Sequence, residues 1–117
     1  MSMLTTHILD TVVGKPAGGV QIELYKISGD DVVLITATIS NADGRTDEPI
    51  LAKNDFDVGT YELRFFIGSY FSNAGYQLDD PLFLDVIPIR FSIASTETHY
   101  HVPLLASPCA YSTYRGS

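Results

Sequence analysis

The feature that most constrains this chain is its punctuation. Gly, Pro, Asn and Asp recur about every eight to twelve residues, and the stretches between them alternate apolar with polar side chains. That period belongs to half-buried strands, not helices. From Val20 to Ile27, residues Val20, Ile22, Leu24 and Lys26 share one face and Gln21, Glu23, Tyr25 and Ile27 the other. From Asp85 to Ile93, residues Ile87, Ile89, Phe91 and Ile93 oppose Pro88, Arg90 and Ser92. Further strands are expected over Leu4–Val12, Val32–Ser40, Gly59–Ile67, His99–Ala106 and Cys109–Arg115, with a short one near Arg45–Pro49. Asn41-Ala42-Asp43-Gly44 is a turn, because Asn and Gly tolerate positive φ. Ser69–Leu78 lacks the alternation and is expected to hold one short helix, closed by Asp79-Asp80-Pro81. Ile50–Asp57 reads ambiguously. The fold class is all-β, a sandwich in one domain over residues 1–117.

A length of 117 residues with 45% hydrophobic and 18% charged residues supports a packed core without staples. Seven Lys+Arg against fourteen Asp+Glu give a net charge of -7, which excludes the basic footprint of a nucleic-acid binder. No apolar run approaches a membrane span, and Met1–Asp10 lacks the basic start of a secretory signal. A cytoplasmic protein is expected, although a processed periplasmic form would read the same. The single cysteine, Cys109, can form no intrachain disulfide and is expected to be a packing residue.

The three histidines are the richest chemical groups. His7 shares a strand face with Thr5, Leu9 and Thr11. His99 and His101 flank Tyr100, so both imidazoles fall on one face, opposite Tyr100 and Val102. Such a pair can bind a metal, work as base and helper, or simply line the polar face of an edge strand. Arg45 directly follows the Asn41–Gly44 turn, where its fork can meet a carboxylate or an oxyanion, or solvent. Ser117 lies in no nucleophile elbow. The spacing of the histidines matches no known zinc pattern.

Leu4-Thr5-Thr6-His7-Ile8-Leu9-Asp10-Thr11 with Gly14-Lys15-Pro16-Ala17 resembles the first strand of the transthyretin-like proteins. Asp43-Gly44-Arg45 resembles their arginine turn. Pro88-Ile89-Arg90-Phe91 and His99-Tyr100-His101-Val102-Pro103-Leu104-Leu105 resemble their late strands. The ending Tyr111-Ser112-Thr113-Tyr114-Arg115-Gly116-Ser117 resembles the enzyme branch of that family, the 5-hydroxyisourate hydrolases, and Tyr-Arg-Gly-Ser is its most specific element. The resemblance implies a transthyretin-like (prealbumin-like) β-sandwich of about seven to eight strands with one short helix. It also implies assembly as a homotetramer, a dimer of dimers with active sites in a central channel.

The implied reaction is hydrolysis of 5-hydroxyisourate to 2-oxo-4-hydroxy-4-carboxy-5-ureidoimidazoline, a step in urate degradation, with no cofactor or metal. The implied catalytic residues are His7, Arg45, His101 and Ser117. Tyr114, Arg115 and Gly116 are implied to join them in binding substrate. The chemistry is compatible: a water and a general base suffice to open an activated ring amide, and an arginine can stabilise the oxyanion. The rival expectation is a transthyretin-like carrier of a small molecule, without catalysis. A further one is a metal site at His7, His99 and His101.

Overall fold

A computed structural model describes residues 2–117. Ten strand segments and one helix follow in order: β1 (Leu4–Thr5), β2 (Ile8–Asp10), β3 (Lys15–Pro16), β4 (Gln21–Ser28), β5 (Asp31–Ile39), β6 (Gly59–Phe65), α1 (Ile67–Asn73), β7 (Ile87–Ile93), β8 (Tyr100–His101), β9 (Leu104–Ala106) and β10 (Tyr111–Thr113). One sheet runs β5-β4-β6-β7, all antiparallel. The facing sheet runs β10-β9-β2-β3, extended by the parallel pair β1-β8. The all-β sandwich with one short helix is the architecture the alternation foretells.

The inward residues of both sheets form the core. Ile22 and Leu24 of β4, Leu63 and Phe65 of β6, Ile87 and Ile93 of β7 meet Leu4, Ile8 and Leu104 from across the sandwich, all essentially without solvent contact. Burying each such side chain contributes about 1.5–3 kcal/mol. On the outer face of the first sheet Glu62 lies between Arg64 (2.7 Å) and Arg90 (3.2 Å), while β5 exposes Val33, Ile35 and Ile39.

The expected strand Leu4–Val12 is interrupted at Thr6-His7, and His99–Ala106 at Val102-Pro103. The two breaks lie side by side, and their cause is local. Pro103 has no N–H for the ladder. The buried Thr6 hydroxyl donates instead to the Val102 carbonyl, at 2.6 Å. Pairing resumes on both sides, with Val102 N–H donating to the Thr5 carbonyl (2.9 Å) and Leu104 N–H to the His7 carbonyl (2.9 Å). The two chains thus continue alongside each other while His7 stands outside any regular strand.

Other expectations are corrected. Arg45–Pro49 is not a strand, because Asn41 closes the segment on itself. Its Oδ1 accepts from the N–H groups of Asp43 (2.9 Å) and Arg45 (3.2 Å), and its Nδ2 donates to Asp47 Oδ1 (3.0 Å). Ile50–Asp57 resolves into a bridge from Leu51 to Leu4 and a 3-10 turn at Lys53–Asp55. The helix starts and ends earlier than Ser69–Leu78, at Ile67–Asn73, because Ile67, Gly68 and Phe71 are buried. Lys15–Pro16, beyond the end of the expected first strand, pairs with β2 at the sheet edge. The last strand is only Tyr111–Thr113. Cys109 is exposed, not packed, since its segment turns around the Ser107 hydroxyl, which accepts from the N–H groups of Cys109 and Ala110.

One polar contact fastens α1 to the sandwich. The Tyr70 hydroxyl donates to Oδ2 of the buried Asp10 (2.8 Å), whose Oδ1 accepts from Val12 N–H (2.9 Å). Burial, and then this bond to a carboxylate, push the Tyr70 phenol up to about 12.

Candidate active site

Strand alternation sorts the site. Leu4, Thr6, Ile8 and Asp10 point inward and are buried, so Thr5, His7 and Leu9 face out. On the neighbouring chain Tyr100 and Val102 are buried, so His99 and His101 face the same way. The parallel register of β1 on β8 sets Thr5 against His101. Thr5 Oγ1 lies 2.8 Å from His101 Nδ1 and 3.1 Å from His99 Nε2. The two imidazoles are nearly parallel, inclined by 21° with centroids 6.4 Å apart.

Arg45 arrives from a different part of the chain. Its turn is docked on β2: Ile8 N–H donates to the Gly44 carbonyl (2.8 Å). Gly44 adopts φ +73°, and a Cβ there would collide with the Ile8 carbonyl oxygen and press on Pro16. Only glycine meets both conditions, so Gly44 is what lets the turn approach closely enough to bring Arg45 to the imidazoles. Gly44→Ala is expected to destabilise the protein by about 2–4 kcal/mol, from left-handed strain plus overpacking. Thermal or urea unfolding checks this, and loss of activity in the folded fraction would register the displacement of Arg45.

Burial, followed by the positive charges of Arg45, His99 and His7, holds His101 below the ordinary histidine value, against a hydrogen bond from the ring to the Thr5 main-chain carbonyl that raises it. A neutral imidazole beside a guanidinium is what a general base near neutral pH requires.

The chain end closes one side. After β10, Gly116 bridges back to His101, its N–H donating to the His101 carbonyl (2.8 Å). A Cβ on Gly116 would lie 2.5 Å from His101 Cδ2. The tail therefore packs on the imidazole because residue 116 has no side chain, and Ser117 follows immediately. Arg115 and Tyr114 are not brought to the imidazoles. The Arg115 guanidinium sits 4.2 Å from the centre of the Tyr100 ring. Both residues line a cavity of about 330 Å³ with Ile89, Tyr100 and Val102, on the other side of β8. His7, Arg45, His101 and Gly116 thus converge. Thr5 is the member that sequence reading missed; its signal is its place on the outward face, two residues before His7.

Among the described residues no group of three or more His, Cys, Asp and Glu side chains is arranged to hold a metal ion, so the reading of His7, His99 and His101 as a ligand set finds no geometry to carry it. Among the same residues no helix is long and apolar enough to cross a membrane.

Residues 4–116 match the family described as HIUase/Transthyretin. The chain belongs to that family. Within it, the chain is 54% identical over 114 residues to "5-hydroxyisourate hydrolase 2" of Rhizobium meliloti, covering 97% of this chain and 95% of the relative. Among solved structures of similar fold, (S)-allantoin synthase superposes with a TM-score of 0.92 at 45% identity. The match takes in 98% of this chain but 43% of that longer one. A transthyretin from Sparus aurata superposes with a TM-score of 0.87 at 27% identity, covering 99% of this chain and 97% of its own. The HIUase/Transthyretin fold is thus shared with a transthyretin, while the higher sequence identity lies with a hydrolase.

Proposed function

We propose that this chain hydrolyses 5-hydroxyisourate to 2-oxo-4-hydroxy-4-carboxy-5-ureidoimidazoline by water attack on the ring amide. The observation that carries the reading is the His101 imidazole, gripped by Thr5 on one edge and by the Gly116 tail on the other, beside Arg45. His101, with His7 as its partner across the break, takes a proton from water as the oxygen bonds to the ring carbonyl carbon. Arg45 stabilises the negative charge that gathers on the carbonyl oxygen. The C–N bond then breaks, the ureido nitrogen leaves with the proton returned by the imidazole, and a carboxylate remains. Ser117 holds the flat, polar ring in register, which lowers the entropic part of the barrier. Tyr114 and Arg115 serve binding from the far side of β8, anchoring the tail, and Gly116 lets it close.

The carrier alternative fits less well. A pocket for an apolar ligand would not be lined with imidazoles and a guanidinium, and the identity to a hydrolase is twice that to the transthyretin. The direct test generates 5-hydroxyisourate from urate with urate oxidase and follows its near-ultraviolet decay. Acceleration at micromolar protein is expected; decay at the spontaneous rate would overturn the assignment.

The active unit is a homotetramer in this reading, working in the cytoplasm. Two features support assembly. The edge strands β7 and β10 each lack a partner on one side and contribute to one cavity, and His7, His99 and His101 are only half-buried in a single copy. Light scattering should give a mass near four times the 12.8 kDa chain; a monomer with full turnover would refute the channel.

The pH dependence follows from the charges around His101. The base must be neutral, and its proton affinity is held below the ordinary 6.5. The acid limb of kcat/KM should therefore have its midpoint below 6.5. Arg45→Gln removes a positive neighbour, which raises the His101 pKa, so the limb should move to higher pH as the rate falls by about 10²–10³. An unmoved limb would show that a different group is titrating.

A further inference from the structure

The mechanism leaves one imidazole unused. His99 faces the site, yet its ring centroid is 6.4 Å from that of His101, and among the described residues the side chain that joins the two is Thr5. A hydroxyl has one hydrogen to give and two lone pairs. With a ring nitrogen on each side, its single hydrogen goes to one ring, and the other ring must then donate to its oxygen. We propose that His99 is a positioning residue that, through the Thr5 hydroxyl, selects which nitrogen of His101 is free to accept a proton.

The inference rests on His101 acting as the base. When His99 Nε2 is unprotonated it accepts the Thr5 hydroxyl hydrogen. Thr5 Oγ1 then accepts from His101 Nδ1–H, and the His101 lone pair sits on Nε2. That nitrogen lies on the far side of the ring from Thr5, adjacent to the Cδ2 edge on which Gly116 packs. When His99 Nε2 carries a hydrogen, it donates to Thr5 Oγ1 and the hydroxyl hydrogen turns to His101 Nδ1. The neutral His101 ring then carries its proton on Nε2 and cannot serve as base. The position of the hydrogen on His99 thus sets the tautomer of a neighbouring ring that it does not touch. His7, from the break between β1 and β2, and Arg45, from the turn after β5, are the other positive groups that act on His101.

Ring-nitrogen NMR of the ¹⁵N-labelled protein reads the tautomer without reference to turnover. The wild type should show His101 as the Nδ1–H form. His99→Phe and Thr5→Val should raise the share of the Nε2–H form and lower kcat/KM by about 10-fold or more. His99→Gln, whose amide oxygen still accepts from the hydroxyl, should restore the tautomer and most of the rate, as should Thr5→Ser. An unchanged His101 tautomer in both His99→Phe and Thr5→Val would overturn the inference. That would mean both rings donate to the hydroxyl oxygen and its hydrogen points elsewhere. Failure of the base assignment is separable, because His101→Asn would then keep its turnover whatever the NMR of the other variants shows.

Discussion

His101→Asn is expected to lower kcat/KM for 5-hydroxyisourate by about 10²–10⁴ while leaving the fold intact. The asparagine amide can keep a hydrogen bond to Thr5 Oγ1, which stands 2.8 Å from the native ring. It cannot take up a proton near neutral pH. The side chain faces outward from β8, while the buried neighbours Tyr100 and Val102 do the packing. Its replacement therefore removes chemistry rather than core. Near-ultraviolet decay of the substrate, with circular dichroism as the control, measures both halves of the claim. A variant within about threefold of the wild type would move the base to His7 or to the tail.

Removal of Tyr114 to Ser117 should have the larger effect on activity, bringing turnover close to the uncatalysed rate. The tail supplies the N–H that Gly116 gives to the His101 carbonyl and the Arg115 guanidinium over Tyr100. It also supplies Ser117. None of these residues belongs to the buried core. The stability loss should therefore be modest, about 1–2 kcal/mol for one hydrogen bond and one cation–π contact. A truncated protein with normal turnover would remove the tail from the site altogether. One that fails to fold would show that the bridge at Gly116 carries structure as well as position, and the single variant Gly116→Ala, read for activity against melting temperature, then separates the two roles.

The long strands were legible because a single face decides them. In β4 and β7 each apolar residue lies two from the next, and a slip of one residue would drive Glu23 or Arg90 into the core. The outward direction of His7 and His101 followed from the same rule, and the family motifs located Arg45 and Gly116. The breaks beside His7 were not legible, because they arise where two distant segments meet. Pro103 withholds a donor, and only the folded register shows that Thr6 answers it. The same holds for Thr5, whose hydroxyl means nothing until β1 lies against β8. Arg45–Pro49 was misread for a related reason: an asparagine side chain captures a strand-like segment. Cys109 was misjudged by composition, since an apolar thiol on a turn has no core to enter.

The link between Tyr70 and Asp10 sets an alkaline boundary for the molecule. A phenol raised to about 12 in the folded state and near 10 in the unfolded chain stabilises the fold fully only below pH 10, and that contribution drains away between about pH 10 and 12. The chain holds seven tyrosines and no tryptophan, so phenolate absorbance can be followed without an indole background. The last phenol to ionise should be the one under α1, and its release should coincide with the helix coming away from β2.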